Sequence, residues 1–120
     1  MKRAIVLVDH GSRVAEANRA LEAVAALLRR RVPERVVEIA HMELAPPTLA
    51  EAIARCVAAG ATEIVVHPYF LAPGAHATHD VPAQAAAAAR RHAGVTVRVS
   101  APLGAHEGIV DVILARVEEA

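Results

Sequence analysis

The chain has 120 residues, of which 55% are apolar, and its formal net charge at pH 7 is zero. This length suits one compact domain, residues 1–120, and is too short for two. The balanced charge argues against nucleic acid or an anionic membrane as a partner. A single tyrosine and a single phenylalanine leave almost no platform on which bases could stack.

The lone cysteine and the short first apolar run indicate the cellular compartment of the protein. Cys56 has no second cysteine to pair with, so no disulfide framework exists. The N-terminal apolar run is interrupted by Asp9 after about five residues, which is too short for a signal peptide or a membrane span. We therefore expect a cytoplasmic protein.

Apolar runs alternate with helical patterns four times along the chain. Continuous runs at Ala4–Val8 and Ile64–Val66 predict central strands that are covered on both faces. Two further runs, Val36–His41 and Val95–Val99, contain polar interruptions that are typical of edge strands. Alternating strands and helices predict an α/β domain with three layers: a flavodoxin-like, four-stranded parallel sheet of order 2-1-3-4 with helices on both faces.

Capping signals mark where the helices begin. The second helix has a capping box at Thr48-Leu49-Ala50-Glu51. Asp80 is expected to cap the third helix, with Pro82 tolerated in its first turn. The last helix is predicted from about Glu107 to Glu118, and its apolar stripe comprises Ile109, Val112, Ile113 and Val117.

Two histidines follow the two central strands and are the strongest site candidates. His10 comes directly after the first strand, and His76 lies in the segment after the third. In an open parallel sheet, ligands bind outside the carboxyl ends of the strands where the strand order reverses, here between strands one and three. Imidazole binds transition metals and accepts protons near neutral pH. We therefore expect His10 and His76 to be both catalytic residues and metal ligands.

Other residues at this edge are candidates for contacts with a ligand. Glu43 lies just past strand two and could complete a metal's coordination, accept a proton or hydrogen-bond a substrate. The loop Leu71-Ala72-Pro73-Gly74-Ala75 is apolar and suits either a wall against a flat ligand or a dimer contact. Arg13 could bind a carboxylate of the ligand or be an exposed charge at a helix start.

The other five histidines are interpreted mainly as structural. His41 and His67 end strands and are expected to be structural, His67 hydrogen-bonded and partly buried. His92 lies near a helix C-terminus and is expected to be solvated there. His79 is expected to be an exposed loop residue, with an auxiliary metal ligand as the alternative, and His106, at the start of the last helix, remains open as a ligand contact.

Four pieces in order carry a family resemblance across essentially the whole chain. They are His10-Gly11-Ser12-Arg13, then Glu43-Leu44-Ala45-x-Pro47, then Phe70-Leu71-x-x-Gly74-x-His76-x-x-x-Asp80-x-Pro82, and finally Pro102-Leu103-Gly104. Each piece alone is weak, but their order and spacing are specific. With them the chain resembles the small sirohydrochlorin chelatases of the CbiX type.

The resemblance implies a chelatase that inserts a divalent metal into sirohydrochlorin without ATP, as in cobalamin or sirohaem biosynthesis. It implies Co²⁺ as the first expectation, with Ni²⁺ or Fe²⁺ as alternatives, and no cofactor beyond that substrate ion. Matched by position to the family's motifs, His10 would be the proton acceptor and a metal ligand, and His76 would be the second metal ligand. Glu43 and the segment Phe70–Ala75 would then contact the macrocycle, and the single-unit length implies a homodimer.

Two other classes of protein stay open. A noncatalytic carrier could hold nickel or cobalt with the same histidines, leaving the spectrum of added sirohydrochlorin unchanged. An anion-binding flavodoxin-like module could hold phosphate at Gly11-Ser12-Arg13, although it would leave His76 unexplained. No Walker motif or GxGxxG follows any strand, which weakens the second alternative.

Overall fold

The protein is an α/β domain whose four parallel strands have the order β2-β1-β3-β4, as the sequence predicts. The computed structural model describes residues 2–72 and 74–120, without the side chains of Ala75 and His76. In chain order the elements are β1 (Lys2–Asp9), α1 (Ala15–Arg31), β2 (Val36–His41), α2 (Leu49–Ala58), β3 (Ala61–Pro68), α3 (Ala75–Ala89), β4 (Thr96–Val99) and α4 (Glu107–Glu119).

The two faces of the sheet bury two separate apolar cores. The larger core lies under α2 and α3, where Val6, Ile53, Ile64, Val66 and Val81 are almost fully buried. The smaller core lies under α1 and includes Leu7, Leu21, Ala25, Val37 and Ile39. Successive strand residues point to opposite faces, so a central strand must be apolar at nearly every position. This accounts for the continuous apolar runs of β1 and β3.

The capping box of α2 is confirmed. The Thr48 hydroxyl accepts a hydrogen bond from the backbone N–H of Glu51 at 3.1 Å, and the Glu51 carboxylate accepts one from the N–H of Thr48 at 2.8 Å. These two bonds satisfy donors that would otherwise lack partners in the first turn.

The predicted start of α3 is wrong. The helix begins at Ala75 with Gly74 as its N-cap, so Asp80 and Pro82 lie inside it and His79 is a helical residue. The Thr78 hydroxyl donates to the carbonyl of Gly74 at 3.0 Å, which ties down the first turn. Pro82 has no N–H to donate to the carbonyl of Thr78, and the helix continues past that missing bond because its inner residues, Val81 among them, are buried.

The predicted bounds of α4 are confirmed to within one residue, but its apolar stripe is not buried. No residue of α4 is buried, and Val110, Val112, Ile113, Leu114 and Val117 are 46–61% exposed. Helix α1 is therefore the only helix among the described residues that packs on its face of the sheet, over β1 and β2.

Candidate active site

The carboxyl ends of the strands are tied to one another by backbone hydrogen bonds that continue beyond the sheet. The N–H of Met42 donates to the carbonyl of Asp9 at 2.9 Å, and that of Glu43 to the carbonyl of His10 at 3.1 Å. The N–H of Tyr69 donates to the carbonyl of Val8 at 2.7 Å. The segments that follow β1, β2 and β3 therefore leave the sheet side by side, which brings His10, Glu43 and Phe70 to one edge.

A glycine allows the first two of these segments to meet. Gly11 has φ +88°, and a Cβ at this position would lie 1.9 Å from the carbonyl oxygen of Glu43. An L side chain can neither adopt this conformation without strain nor fit in this space. Gly11 is therefore required by the path that carries Glu43 past His10.

The side chain of Asn18 fixes the turn between β1 and α1. Its Oδ1 accepts from the N–H of Ser12 at 2.9 Å, and its Nδ2 donates to the carbonyl of Ser12 at 2.7 Å. The Ser12 hydroxyl in turn accepts from the N–H of Val14 at 3.0 Å. Asn18 lies six residues from Ser12, so sequence reasoning missed it: no local capping pattern links the two.

The imidazole of His10 lies against a phenyl ring and opens to solvent. Its centroid is 4.3 Å from that of Phe70, with the ring planes at 40°. Phe70 is 7% exposed, whereas His10 is an exposed residue. A buried aromatic wall thus limits the orientations of an imidazole whose other face is accessible to a metal or a substrate.

Two clefts open on either side of Phe70. One, of about 300 Å³, is bordered by Asp9, His10, Ser12 and Tyr69. The other, of about 450 Å³, is mainly apolar and is bordered by Ala77, Val81, Val99 and Pro102. Both volumes lie within the range of small-ligand sites.

Three expectations from the sequence concern residues that the structure describes in part or not at all. Pro73 lies outside the described residues. The backbone of His76 lies in the first turn of α3, but its side chain and that of Ala75 are outside the description. The pairing of His10 with His76 therefore stays a prediction.

The remaining candidates at this edge are solvent-accessible. Glu43, Leu71, Ala72, Gly74 and Arg13 are all exposed. Of these, Glu43 is joined to His10 by its backbone N–H, and the roles expected of all five residues stay predictions. Among the described residues, no group of three or more His, Cys, Asp or Glu side chains could hold a metal ion.

The structural interpretations of His41 and His67 are confirmed. His41 is 2% exposed, and its Nδ1 lies 2.5 Å from Oδ1 of Asp9. His67 is half-buried, and its Nδ1 lies 2.8 Å from the hydroxyl of Ser100. Burial lowers the pKa of His67, although a hydrogen bond with the backbone of Ala101 opposes this effect.

The last histidine at this edge, His106, is the N-cap of α4. Its Nδ1 accepts a hydrogen bond from the N–H of Gly108 at 2.9 Å. In this arrangement that nitrogen is used within the helix start. Only the other ring nitrogen of His106 is left for a ligand.

The fold and its edge define a class: parallel α/β proteins with an open cleft at the reversal of strand order, here with an accessible histidine in it. A family model described as CbiX matches residues 4–120. The chain therefore belongs to the CbiX family.

Named relatives of this chain fall into two length groups. The chain is similar to the chloroplastic sirohydrochlorin ferrochelatase of Arabidopsis thaliana, with 41% identity over 114 residues that cover 95% of this chain and 51% of that protein. It is also similar to the sirohydrochlorin cobaltochelatase of Methanococcoides burtonii, with 31% identity over 126 aligned positions, 98% of this chain and 96% of that protein. The chain thus spans about half the length of the Arabidopsis relative.

A solved relative has the same fold. The sirohydrochlorin chelatase SirB from Bacillus subtilis subspecies spizizenii, in complex with cobalt, superposes with a TM-score of 0.88 at 37% identity, over 99% of this chain and 51% of that one. Among the residues described here, no helix is long and apolar enough to cross a membrane.

Proposed function

We propose that residues 1–120 form a single chelatase domain that inserts a divalent metal into sirohydrochlorin without ATP. The observation that carries the proposal is the accessible imidazole of His10, held against Phe70 at the reversal of strand order. Membership of the CbiX family and relatives named as sirohydrochlorin chelatases support the substrate. The lone, buried Cys56 suits a reducing compartment such as the cytoplasm.

The reaction removes two protons from pyrrole nitrogens and places the metal between the four nitrogens of the ring. In the proposed mechanism His10 binds the incoming ion and accepts one proton as the ring takes the metal. His76, in the first turn of α3, is the second ligand. A site with only a few imidazole ligands holds a first-row divalent ion firmly enough to deliver it to the ring, yet weakly enough to release it.

The apolar surface beside His10 would hold the macrocycle. Phe70, Leu71, Ala72 and the rest of the loop to Ala75 would supply apolar contacts, and Glu43 would accept a second proton or bind the ring's periphery. Carboxylates of the macrocycle would meet Arg13 and the N–H groups at the start of α3, whose N-cap, Gly74, has no side chain to bind them. A flat ring has two faces, so we further infer that two copies of the chain work as a homodimer.

Relatives named for iron and for cobalt are both similar to this chain, so the proposal covers Co²⁺ and Fe²⁺, with Ni²⁺ as a further substrate to test. Anaerobic incubation with sirohydrochlorin and each ion separately, followed by visible spectroscopy, measures metallation directly. A chelatase changes the spectrum at a rate proportional to enzyme. A carrier would bind metal and leave the spectrum unchanged, and a phosphate-binding module would do neither.

The residue assignment is tested with His10→Ala and His76→Ala, each expected to lower the metallation rate at least a hundredfold. His79→Ala is the matched control, because His79 is an exposed histidine on the same helix as His76 and should keep the wild-type rate. Wild-type rates in both test variants would refute the assignment of metal binding to these two side chains.

A further inference from the structure

Two exposed leucines occupy matched positions on either side of the strand that leads to His10. Leu44 lies three residues beyond the end of β2 and is 54% exposed. Leu71 lies three residues beyond the end of β3 and is 63% exposed. One exposed leucine is ordinary on a protein surface. Two of them at matched positions around an accessible imidazole require an explanation, and we call them the leucine pair.

The order and register of the strands place the leucine pair around His10. Strand β1 lies between β2 and β3, with Asp9 paired to His41 and Val8 to Pro68, so the two outer strands end at nearly the same level. Neighbouring strands are about 4.8 Å apart, so the segments that lead to the two leucines leave the sheet about 10 Å apart, with β1 between them. This separation is comparable to the width of a tetrapyrrole ring.

The loop that carries Leu44 is tied to its surroundings at both ends. The N–H of His41 donates to the carbonyl of Pro47 at 2.9 Å, which closes the loop on itself. The N–H of Glu43 donates to the carbonyl of His10 at 3.1 Å, one residue before Leu44. The position of Leu44 relative to His10 is therefore set by main-chain bonds.

The backbone of Leu44 has a conformation that leucine disfavours. Its φ is +71°, in the left-handed region, where the Cβ of an L residue crowds the following carbonyl oxygen. Among the described residues it is the only one other than glycine with a positive φ. Glycine or asparagine would adopt this conformation at a lower cost. Leu44 also belongs to neither apolar core, so its side chain does little for the fold, and strain of this kind is typical of functional sites.

The segment before Leu71 is held in a similar way. The N–H of Tyr69 donates to the carbonyl of Val8 at 2.7 Å, and the carbonyl of Phe70 accepts from the N–H of Leu103 at 3.0 Å. The ring of Phe70 is in turn in contact with that of His10. Both members of the leucine pair are thus presented by backbone that is fixed beside the same imidazole.

We propose that Leu44 is a further substrate-binding residue, which with Leu71 holds the flat ring of sirohydrochlorin beside His10. This inference rests on the function proposed above. The ring of a tetrapyrrole is apolar and its carboxylates lie at the rim, so leucine side chains suit the ring and leave the carboxylates to polar groups. A contact made equally before and during the reaction strengthens binding and leaves the rate of the chemical step unchanged.

The test is Leu44→Asn, which removes the apolar side chain and suits the left-handed backbone. Its melting temperature should not fall below that of the wild type, because asparagine tolerates this conformation. The Kd for metal-free sirohydrochlorin, measured by equilibrium dialysis, should rise about tenfold, as expected when a leucine loses part of its burial. The KM for sirohydrochlorin should rise with it, while kcat changes by less than about twofold.

Two further variants serve as controls. Leu44→Met keeps an apolar side chain on the same backbone, so it should restore a Kd close to that of the wild type. Leu27→Asn makes the same exchange at a leucine that is 61% exposed near the end of α1. Helix α1 runs back from the carboxyl edge of the sheet, so Leu27 is remote from His10 and its replacement should leave the Kd unchanged.

The outcomes separate this inference from the proposed function. A wild type that metallates sirohydrochlorin, with an unchanged Kd in Leu44→Asn, would overturn the role of Leu44 and leave the chelatase intact. A Leu44→Met variant that binds no better than Leu44→Asn, or a fall in kcat at unchanged Kd, would also overturn it. A wild type that binds sirohydrochlorin without metallating it, and loses affinity in Leu44→Asn, would refute the chelatase and support the binding role. A wild type that does not bind sirohydrochlorin would overturn both.

Discussion

The Nδ1 atom of His41 lies 2.5 Å from Oδ1 of Asp9, across the carboxyl ends of β2 and β1. A carboxylate can only accept a hydrogen bond, so Nδ1 carries the hydrogen. His41 is buried, whereas the Asp9 side chain is 21% exposed. Asp9 also precedes His10, so this contact fixes the end of the strand from which the candidate ligand extends.

A double-mutant cycle should show strong coupling between these two residues. We expect Asp9→Ala and His41→Ala to be coupled by about 1–3 kcal/mol in the free energy of unfolding, because each single change leaves a partly or fully buried polar group without its partner. Urea denaturation of the four proteins measures this coupling.

The control cycle uses Glu38 and Arg55, whose charged atoms are 3.9 Å apart and whose side chains are 28% and 59% exposed. Solvent screens this pair, so its coupling should not exceed about 0.5 kcal/mol. Equal coupling in the two cycles would contradict the structural role assigned to Asp9 and His41.

Gly11→Ala should be more damaging than an equivalent change at Gly94. Both glycines have positive φ, +88° and +81°, but a Cβ at Gly94 meets nothing within 4 Å. Gly94→Ala is expected to cost about 1–2 kcal/mol in the free energy of unfolding from backbone strain alone. Gly11→Ala should cost on the order of 3 kcal/mol or more, since the new methyl group would also displace the carbonyl of Glu43.

The same pair of variants tests the site. Gly11→Ala should lower the metallation rate well below that of Gly94→Ala at a temperature where both are folded, because it moves Glu43 away from His10. Thermal melts and the spectroscopic assay give the two readouts. If the two variants had the same melting temperature and the same metallation rate, the close approach at Gly11 would have no effect on stability or on the site.

Stability should fall as the pH drops below the ordinary range of histidine, in part because of His67. Its folded pKa is lowered from 6.5 by burial, so the unfolded chain takes up a proton before the folded chain does. The stabilising contribution is therefore complete above pH 6.5 and is lost as the pH falls through the folded value. The fall of the denaturation midpoint between pH 8 and pH 5, a range of about three units, should be smaller in His67→Asn than in the wild type.

The exposed His79 provides the control for this measurement. His79→Asn removes a histidine without removing a buried one, so its denaturation midpoint should keep the pH profile of the wild type. A His67→Asn profile that also matched the wild type would show that His67 makes no pH-dependent contribution to folding.

Cys56 should be unreactive while the protein is folded. Burial raises the pKa of its thiol to about 12, with the nearby carboxylate of Glu38 adding to the effect, and the residue is 0% exposed. The thiolate is the reactive form, so a thiol reagent at pH 8 should modify the chain no faster than it unfolds. Fast labelling of native protein, with a folded far-UV spectrum, would contradict the placement of Cys56 in the core.

The sheet could be predicted from the sequence because burial on two faces leaves a distinct pattern. The continuous runs of β1 and β3 and the interrupted runs of β2 and β4 were enough to give the strand order, which is confirmed. The start of α3 was mispredicted because Asp80 and Pro82 resemble a helix start, whereas the true N-cap, Gly74, has no side chain to signal it. A local pattern cannot distinguish the two.

Contacts between distant segments could not be predicted from the sequence. The position of His10 at the reversal of strand order follows from topology, but its ring contact with Phe70 and the pairing of Asp9 with His41 join residues 60 and 32 positions apart. The sequence shows α4 to be rich in apolar residues, yet periodicity indicates only that a face must be covered. It does not indicate whether the same chain or another copy covers it.

The ties between the loops at the carboxyl edge of the sheet run through main-chain atoms: Glu43 to His10, Tyr69 to Val8, and Leu103 to Phe70. An exchange of side chain at exposed positions such as Glu43, Leu71 or Ala72 would leave these ties unbroken. The side chains at this edge can therefore be exchanged while the backbone positions of His10 and Phe70 are kept.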